Sequence, residues 1–140
     1  MARASKVLRF SALALALAQL LRCSHENPPV TAEIQAPAEV QRIFERSCYD
    51  CHSNETRWPW YSHVAPVMWL VDHDVSEGRE HLNFSSFEGL SEKTQAKVRR
   101  EIAEQVETGE MPMSIYVPLH PEAALSDEDK RRIRAWADAN

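Results

Sequence analysis

Ser91–Gly109 reads SEKTQAKVRREIAEQVETG, and this stretch decides the fold class. Val98, Ile102 and Val106 recur every fourth residue, the spacing that lines one side of an α-helix. Ser91 stands where a helix start wants a side-chain acceptor, and Gly109 where the chain must leave the helix. Working outward, Asp127 to Asp138 reads the same way: Ser126 caps it, Asp129 takes the capping-box place, and Ile133, Trp136 and Ala137 supply a buried stripe. Ala38 to about Cys48 has Val40, Ile43 and Phe44 at helical spacing. Pro66 to about Glu77 carries Val67, Leu70 and Val71 on one side, with Gly78 as the expected stop. No segment alternates with period two for long enough to make a strand. The expected class is all-α.

The chain has 140 residues, 44% of them hydrophobic and 26% charged, which is room for one ordinary domain. Four Trp, four Phe and three Tyr give it enough to bury that disorder is not expected. Residues 1–23 hold four basic side chains and no acid, so residues 24–140 carry a net charge of −9. An acidic body repels phosphate backbones, which excludes a basic nucleic-acid binder, and suits a partner with a basic face.

Three regions follow from composition. Arg3, Lys6 and Arg9 precede an Ala/Leu run from Phe10 to Leu21, the pattern of an export signal, so 1–23 reads as a signal or a short N-terminal anchor. Twelve apolar-rich residues fall short of the roughly 20 needed to span a bilayer. Cys23 follows Leu20-Leu21-Arg22, and Arg22 replaces the small residue that a lipoprotein site wants, so lipidation is the weaker reading. Residues 24–37 hold three Pro among polar neighbours and read as an extended tether. Residues 38–140 are the domain.

Cys48-Tyr49-Asp50-Cys51-His52 is C-x-x-C-H, the attachment pattern of c-type haem. Two thiols within one turn can add to the two vinyl groups of one porphyrin edge. A His directly after the second Cys then lies under the ring with a nitrogen for iron. A thioredoxin-like site would want a preceding strand and an α/β pattern. A structural zinc site wants four ligands, and the only other Cys is Cys23. A Cys48–Cys51 disulfide would close too small a loop to stabilise much. One covalent haem c is therefore the expected cofactor, with His52 as the proximal iron ligand.

The sixth ligand is sought beyond the helix that Gly109 ends. Met111-Pro112-Met113 places two thioethers beside a Pro that fixes φ, in a loop where core filler is not expected. Met111 is the expected distal ligand and Met113 the reserve; a Met/His pair raises the reduction potential. Met68 reads as packing. His63, His73, His81 and His120 are rivals better read as solvated. Trp58, Trp60, Tyr61 and Trp69 read as ordinary core packing for the most part; a Trp N–H or Tyr O–H could still reach a haem propionate, with Arg57 or Arg79 as charged alternatives. Asn83-Phe84-Ser85 reads as a structural turn.

From Asn27 onward the chain resembles the haem-binding domain family of exported bacterial monohaem cytochromes c. The resemblance is carried by CYDCHSNETRWPWYSHVAPVMWLV at 48–71, EGREHLNFSSF at 77–87, GEMP at 109–112 and HPEAALSDEDK at 120–130. It implies a cytochrome c-like helical fold, Cys48 and Cys51 as thioether sites, His52 as proximal ligand and Met111, the Met before Pro, as distal ligand. The expected function is electron transfer outside the cytoplasm, in the periplasm, by a protein that is soluble or tethered at its N-terminus. Redox proteins are the expected partners, with no nucleic acid, and with a membrane only through the N-terminal segment. No residues form a catalytic constellation. The alternative is a haem enzyme or a gas or redox sensor with an open or labile distal site.

Overall fold

The structure is a computed structural model and describes residues 2–139. Among the described residues six α-helices run in chain order: α1 Ala2–Ala18, α2 Ala38–Ser47, α3 Tyr49–His52, α4 Val67–His81, α5 Glu92–Thr108 and α6 Asp127–Asp138. Short 3₁₀ turns fill the connections, and there is no strand among the described residues. The chain is all-α, as its periodicity dictates.

The two helices with the clearest sequence signals have the predicted ends. Ser91 Oγ accepts from Thr94 N at 3.3 Å, and Gly109 leaves α5 at φ 80°, a left-handed conformation that glycine adopts without a Cβ penalty. Ser126 and Asp129 close a reciprocal capping box at the start of α6. α5 and α6 pack together through Ile102, Ala103, Val106, Ile133, Trp136 and Ala137, all buried. Arg134 of α6 pairs with Glu107 of α5 at the rim.

Phe44 of α2 joins this pair to the rest of the core. It is 0% exposed, stacks on Phe84 with ring centroids 4.9 Å apart and meets Trp136 edge-on at 5.1 Å. Offset and edge-to-face aromatic pairs add to the free energy of burial. Tyr49 extends the stack on the other side of Phe84, at 5.3 Å.

Segment 24–37 is extended and lies along the domain. Thr31 and Ala32 donate to Ser85 O, Ile34 donates to Phe84 O, and the Ile34 side chain enters the core. Its backbone thus finds partners that a free tether would leave to water.

Two helix readings need correction. α4 does not stop at Gly78 but continues through it to His81. Its buried residues are Met68, Val75 and Gly78, whereas Val67 is 40% and Leu70 48% exposed. Of the apolar side read from the sequence, Val67 and Leu70 therefore face outward and Val71 is half-buried. The aromatic run is likewise outside the core: Trp60 is 78% exposed, Trp69 is exposed, and Trp58 lies against the His25 ring at 4.4 Å. The core aromatics are instead Phe44, Phe84, Phe87, Tyr49 and Trp136.

Candidate functional site

The C-x-x-C-H stretch is held at the junction of α2, α3 and α4. Cys48 breaks the helix at φ −129° while its N–H still reaches Phe44 O at 2.8 Å. The single turn α3 closes over it, with Cys51 N and His52 N both donating to Cys48 O. This turn presents Cys48, Cys51 and His52 to one cleft.

The residues after the motif fix that turn. Ser53 Oγ donates to Tyr49 O at 2.8 Å and Thr56 Oγ1 to Asp50 O at 2.8 Å. Asn54 N donates to Ser85 Oγ, and Asn83 bonds Asn54, so the predicted 83–85 turn is tied to the motif loop. Arg79 of α4 binds the same loop: Nε donates to Ser53 O at 2.7 Å, and the guanidinium also reaches Thr56 Oγ1 and Asn27 Oδ1. Arg57 reaches Asp50 and Glu45 O. Both arginines thus hold the motif loop, and neither is among the residues that line the cleft. The signal for Ser53, Asn54 and Thr56 was present in the sequence, as short polar side chains able to bond nearby backbone directly after the motif.

Gly78 lets α4 approach this turn. A Cβ there would lie 2.6 Å from the Cys51 carbonyl oxygen. That closeness sets the orientation of His52, whose Nδ1 lies 2.9 Å from Gly78 O and 3.2 Å from Leu82 O. Carbonyls only accept, so Nδ1 carries the proton and Nε2 keeps its lone pair for a ligand. Burial pushes the His52 imidazole down, favouring the neutral form that ligates metal.

The opposite wall is the strap after α5. Met111 N donates to Gln105 O at 3.1 Å, and Met111, Pro112 and Met113 face Cys48, Cys51 and His52 across a lobe of about 140 Å³. A second lobe of about 500 Å³, lined by Phe84, Ile102 and Val106, shares Cys48, His52, His81 and Met111 with the first. Met111 thus borders both lobes, whereas Met113 borders the first and not the second. Met68 is buried away from the cleft, in the packing of α4.

The rival histidines are dispersed. His63 and His73 are exposed and do not line the cleft. His81 stands at its mouth, exposed. His120 Nε2 lies 2.6 Å from Tyr61 Oη, and its ring stacks on Tyr116 at 4.1 Å. Tyr116 in turn donates to Asp50 Oδ2 at 2.8 Å, tying the strap to the middle of the motif. Burial, then that bond to Asp50, raises the Tyr116 hydroxyl well above its ordinary value and keeps it a donor.

The two thiols are protonated in this fold. Burial pushes Cys48 up to about 12 and Cys51 up to about 11. Thiols so placed are poor nucleophiles. The donor set, two thiols, one imidazole with a free Nε2 and one or two thioethers around a largely apolar slot, fits a haem.

A profile of the haem-binding domain family matches residues 13–139, and the chain belongs to that family. It is also similar to the cytochrome c peroxidase Ccp of Escherichia coli strain K12, 28% identical over 116 residues. That match covers 75% of this chain and 24% of the relative, so the chain spans about a quarter of that protein's length. No solved structure matches it.

Proposed function

We propose that this member of the haem-binding domain family holds one haem c through thioethers at Cys48 and Cys51, with His52 and Met111 as the residues that would bind its iron, and transfers electrons. The observation that carries the reading is the arrangement of His52: both carbonyls at Nδ1 orient the ring, and Met111 stands across the cleft from it. Haem supplies an iron that changes oxidation state by one electron. The chain's own residues supply the rest. Gly78 O and Leu82 O fix the His52 tautomer and strengthen Nε2 as a donor. Phe84, Ile102 and Val106 give one lobe of the slot an apolar wall. Met111 offers a soft ligand that favours the reduced state. The acidic body would meet a redox partner with a basic face, outside the cytoplasm.

A haem stain on a denaturing gel, after co-expression with a cytochrome c maturation system, tests attachment. Haem staying on the denatured chain is expected; a folded, exported and unstained protein overturns the reading. Met111→Ala is expected to abolish the sulfur–iron charge-transfer band and lower the potential, and Met113→Ala to leave both unchanged. Loss of the band in Met113→Ala instead reverses the ligand assignment. The similarity to a peroxidase favours a second reading, a haem enzyme or sensor with a labile distal site. Ready binding of CO by the ferrous wild-type protein would select it.

A further inference from the structure

The three tyrosines of the chain differ in what accepts from their hydroxyls. Tyr49 donates to Glu33 Oε1 at 3.0 Å and Tyr116 to Asp50 Oδ2 at 2.8 Å, both carboxylates. Tyr61 Oη instead lies 2.6 Å from His120 Nε2. On the other side of that imidazole, Nδ1 lies 3.3 Å from Glu122 Oε1. A carboxylate only accepts, so Nδ1 carries the proton and Nε2 accepts from Tyr61. Burial raises the Tyr61 hydroxyl above its ordinary value, which keeps it a donor. Glu122 is exposed, so a proton that reaches His120 has a way to solvent.

Tyr61 also stands between the cofactor cleft and the surface. The His120 ring stacks on Tyr116 at 4.1 Å, with the planes 6° apart, and Tyr116 borders the cleft. On the outer side Tyr61 meets the Trp60 ring edge-on at 5.8 Å, and Trp60 is 78% exposed. Tyr116, His120, Tyr61 and Trp60 thus form a line of rings from the cleft to solvent. A phenol gives up an electron more readily when its proton can leave to a base in the same step, because no radical cation is formed. An imidazole is a stronger base than a carboxylate by about two to three pK units. Asp50, which accepts from Tyr116, is moreover already paired with Arg57 at 3.3 Å. Tyr61 is therefore the phenol of this line that oxidises most readily.

We propose that Tyr61 is a redox-active tyrosine with His120 as its proton acceptor, and that it gives the second electron when the haem centre reduces a hydroperoxide. The inference rests on the haem reading above and, for the peroxide, on its variant with a labile distal site. A hydroperoxide takes up two electrons, and two protons from solvent, as its O–O bond breaks to give an alcohol and water. One electron comes from ferrous iron, which becomes ferric. The other comes from Tyr61, whose O–H bond breaks as the proton forms an N–H bond at His120 Nε2. The radical returns to the phenol when a one-electron donor at Trp60 supplies an electron and His120 returns the proton. One haem passing from ferrous to ferric gives a single electron, and the tyrosine supplies the one it lacks.

The test takes the full haem-loaded chain, reduced and mixed with hydrogen peroxide, and reads radicals by freeze-quench paramagnetic resonance. A tyrosyl signal is expected in the wild type, lost in Tyr61→Phe and kept in Tyr116→Phe, with helical circular dichroism intact in both. His120→Gln is expected to slow formation of the signal several-fold and to remove its solvent deuterium effect. A signal that persists in Tyr61→Phe overturns the proposal, as does haem oxidation by peroxide with no tyrosyl radical. Ferrous haem that peroxide leaves unchanged overturns the peroxide step together with the labile-site reading. A ruthenium photo-oxidant on the same protein then decides the Tyr61–His120 pair by itself. A radical on Tyr61 is expected there, and one shared equally among Tyr49, Tyr61 and Tyr116 overturns the pair.

Discussion

α5 with α6, and α3 with α4, are two pairs built in opposite ways. The first pair is made by local rules. Ser91 caps one helix, Gly109 ends it, and Ser126 with Asp129 opens the next, all within a few residues of the atoms they satisfy. The second pair has little local support. α3 is a single turn, α4 begins without a side-chain cap, and the two meet because Gly78 has no Cβ to strike Cys51. Local signals make scaffolding that can be read from the chain. Close approach makes the site, and that depends on residues some 26 positions apart in the sequence, as His52 and Gly78 are.

The strongest way to break the comparison is to remove what both pairs share. Phe44→Ala deletes a fully buried ring that contacts Phe84 on one side and Trp136 on the other. A loss of about 3–5 kcal/mol is expected. Chemical denaturation of the apo chain should show one transition moved, with neither pair surviving alone.

Gly78→Ala acts on the site pair. The added methyl would meet the Cys51 carbonyl at 2.6 Å, so α4 must shift from α3. A cost of about 1–3 kcal/mol is expected, the range for overpacking. The contacts of α5 with α6 should persist, and hydrogen exchange should show opening confined to residues 48–56 and 67–82. Equal protection in both pairs would sink the distinction.

Ser126→Ala acts on the local pair and is expected to cost about 1 kcal/mol. Asp129 adds a pH dependence. Burial alone would raise its carboxyl, but the Ser126 bonds and Arg46 at 2.8 Å outweigh that and hold it below its ordinary value. A carboxyl depressed on folding stabilises the fold at pH values above its unfolded pKa. That contribution is lost as pH falls through the lower, folded value. Thermal melts below pH 4 should therefore converge for wild type and Asp129→Asn, while at neutral pH the variant melts lower.

The helix ends at 91, 109 and 126 were legible because a cap is a relation between near neighbours. The C-x-x-C-H turn was legible for the same reason, since Cys48, Cys51 and His52 lie within one helical turn. Gly78 was misread because a glycine near the expected end of a helix looks like a stop, and only the neighbour across the gap shows it to be a point of contact. Val67 and Leu70 were misplaced because periodicity marks an apolar side without saying what it faces. No local pattern marked the Arg79 guanidinium as the tie between segment 24–37 and the motif loop, a job assigned by distance in space.

The sequence by itself determined the all-α class, the extents of α5 and α6, and a motif that places two thiols and an imidazole on one turn. These follow from interactions that act over one or two helical turns. Tertiary structure alone decided that Gly78 and Leu82 orient His52, that Met111 borders both lobes of the cleft, and that Val67 and Leu70 of α4 face outward. Each depends on which surfaces are pressed together, and packing of distant segments leaves no periodic mark in the chain.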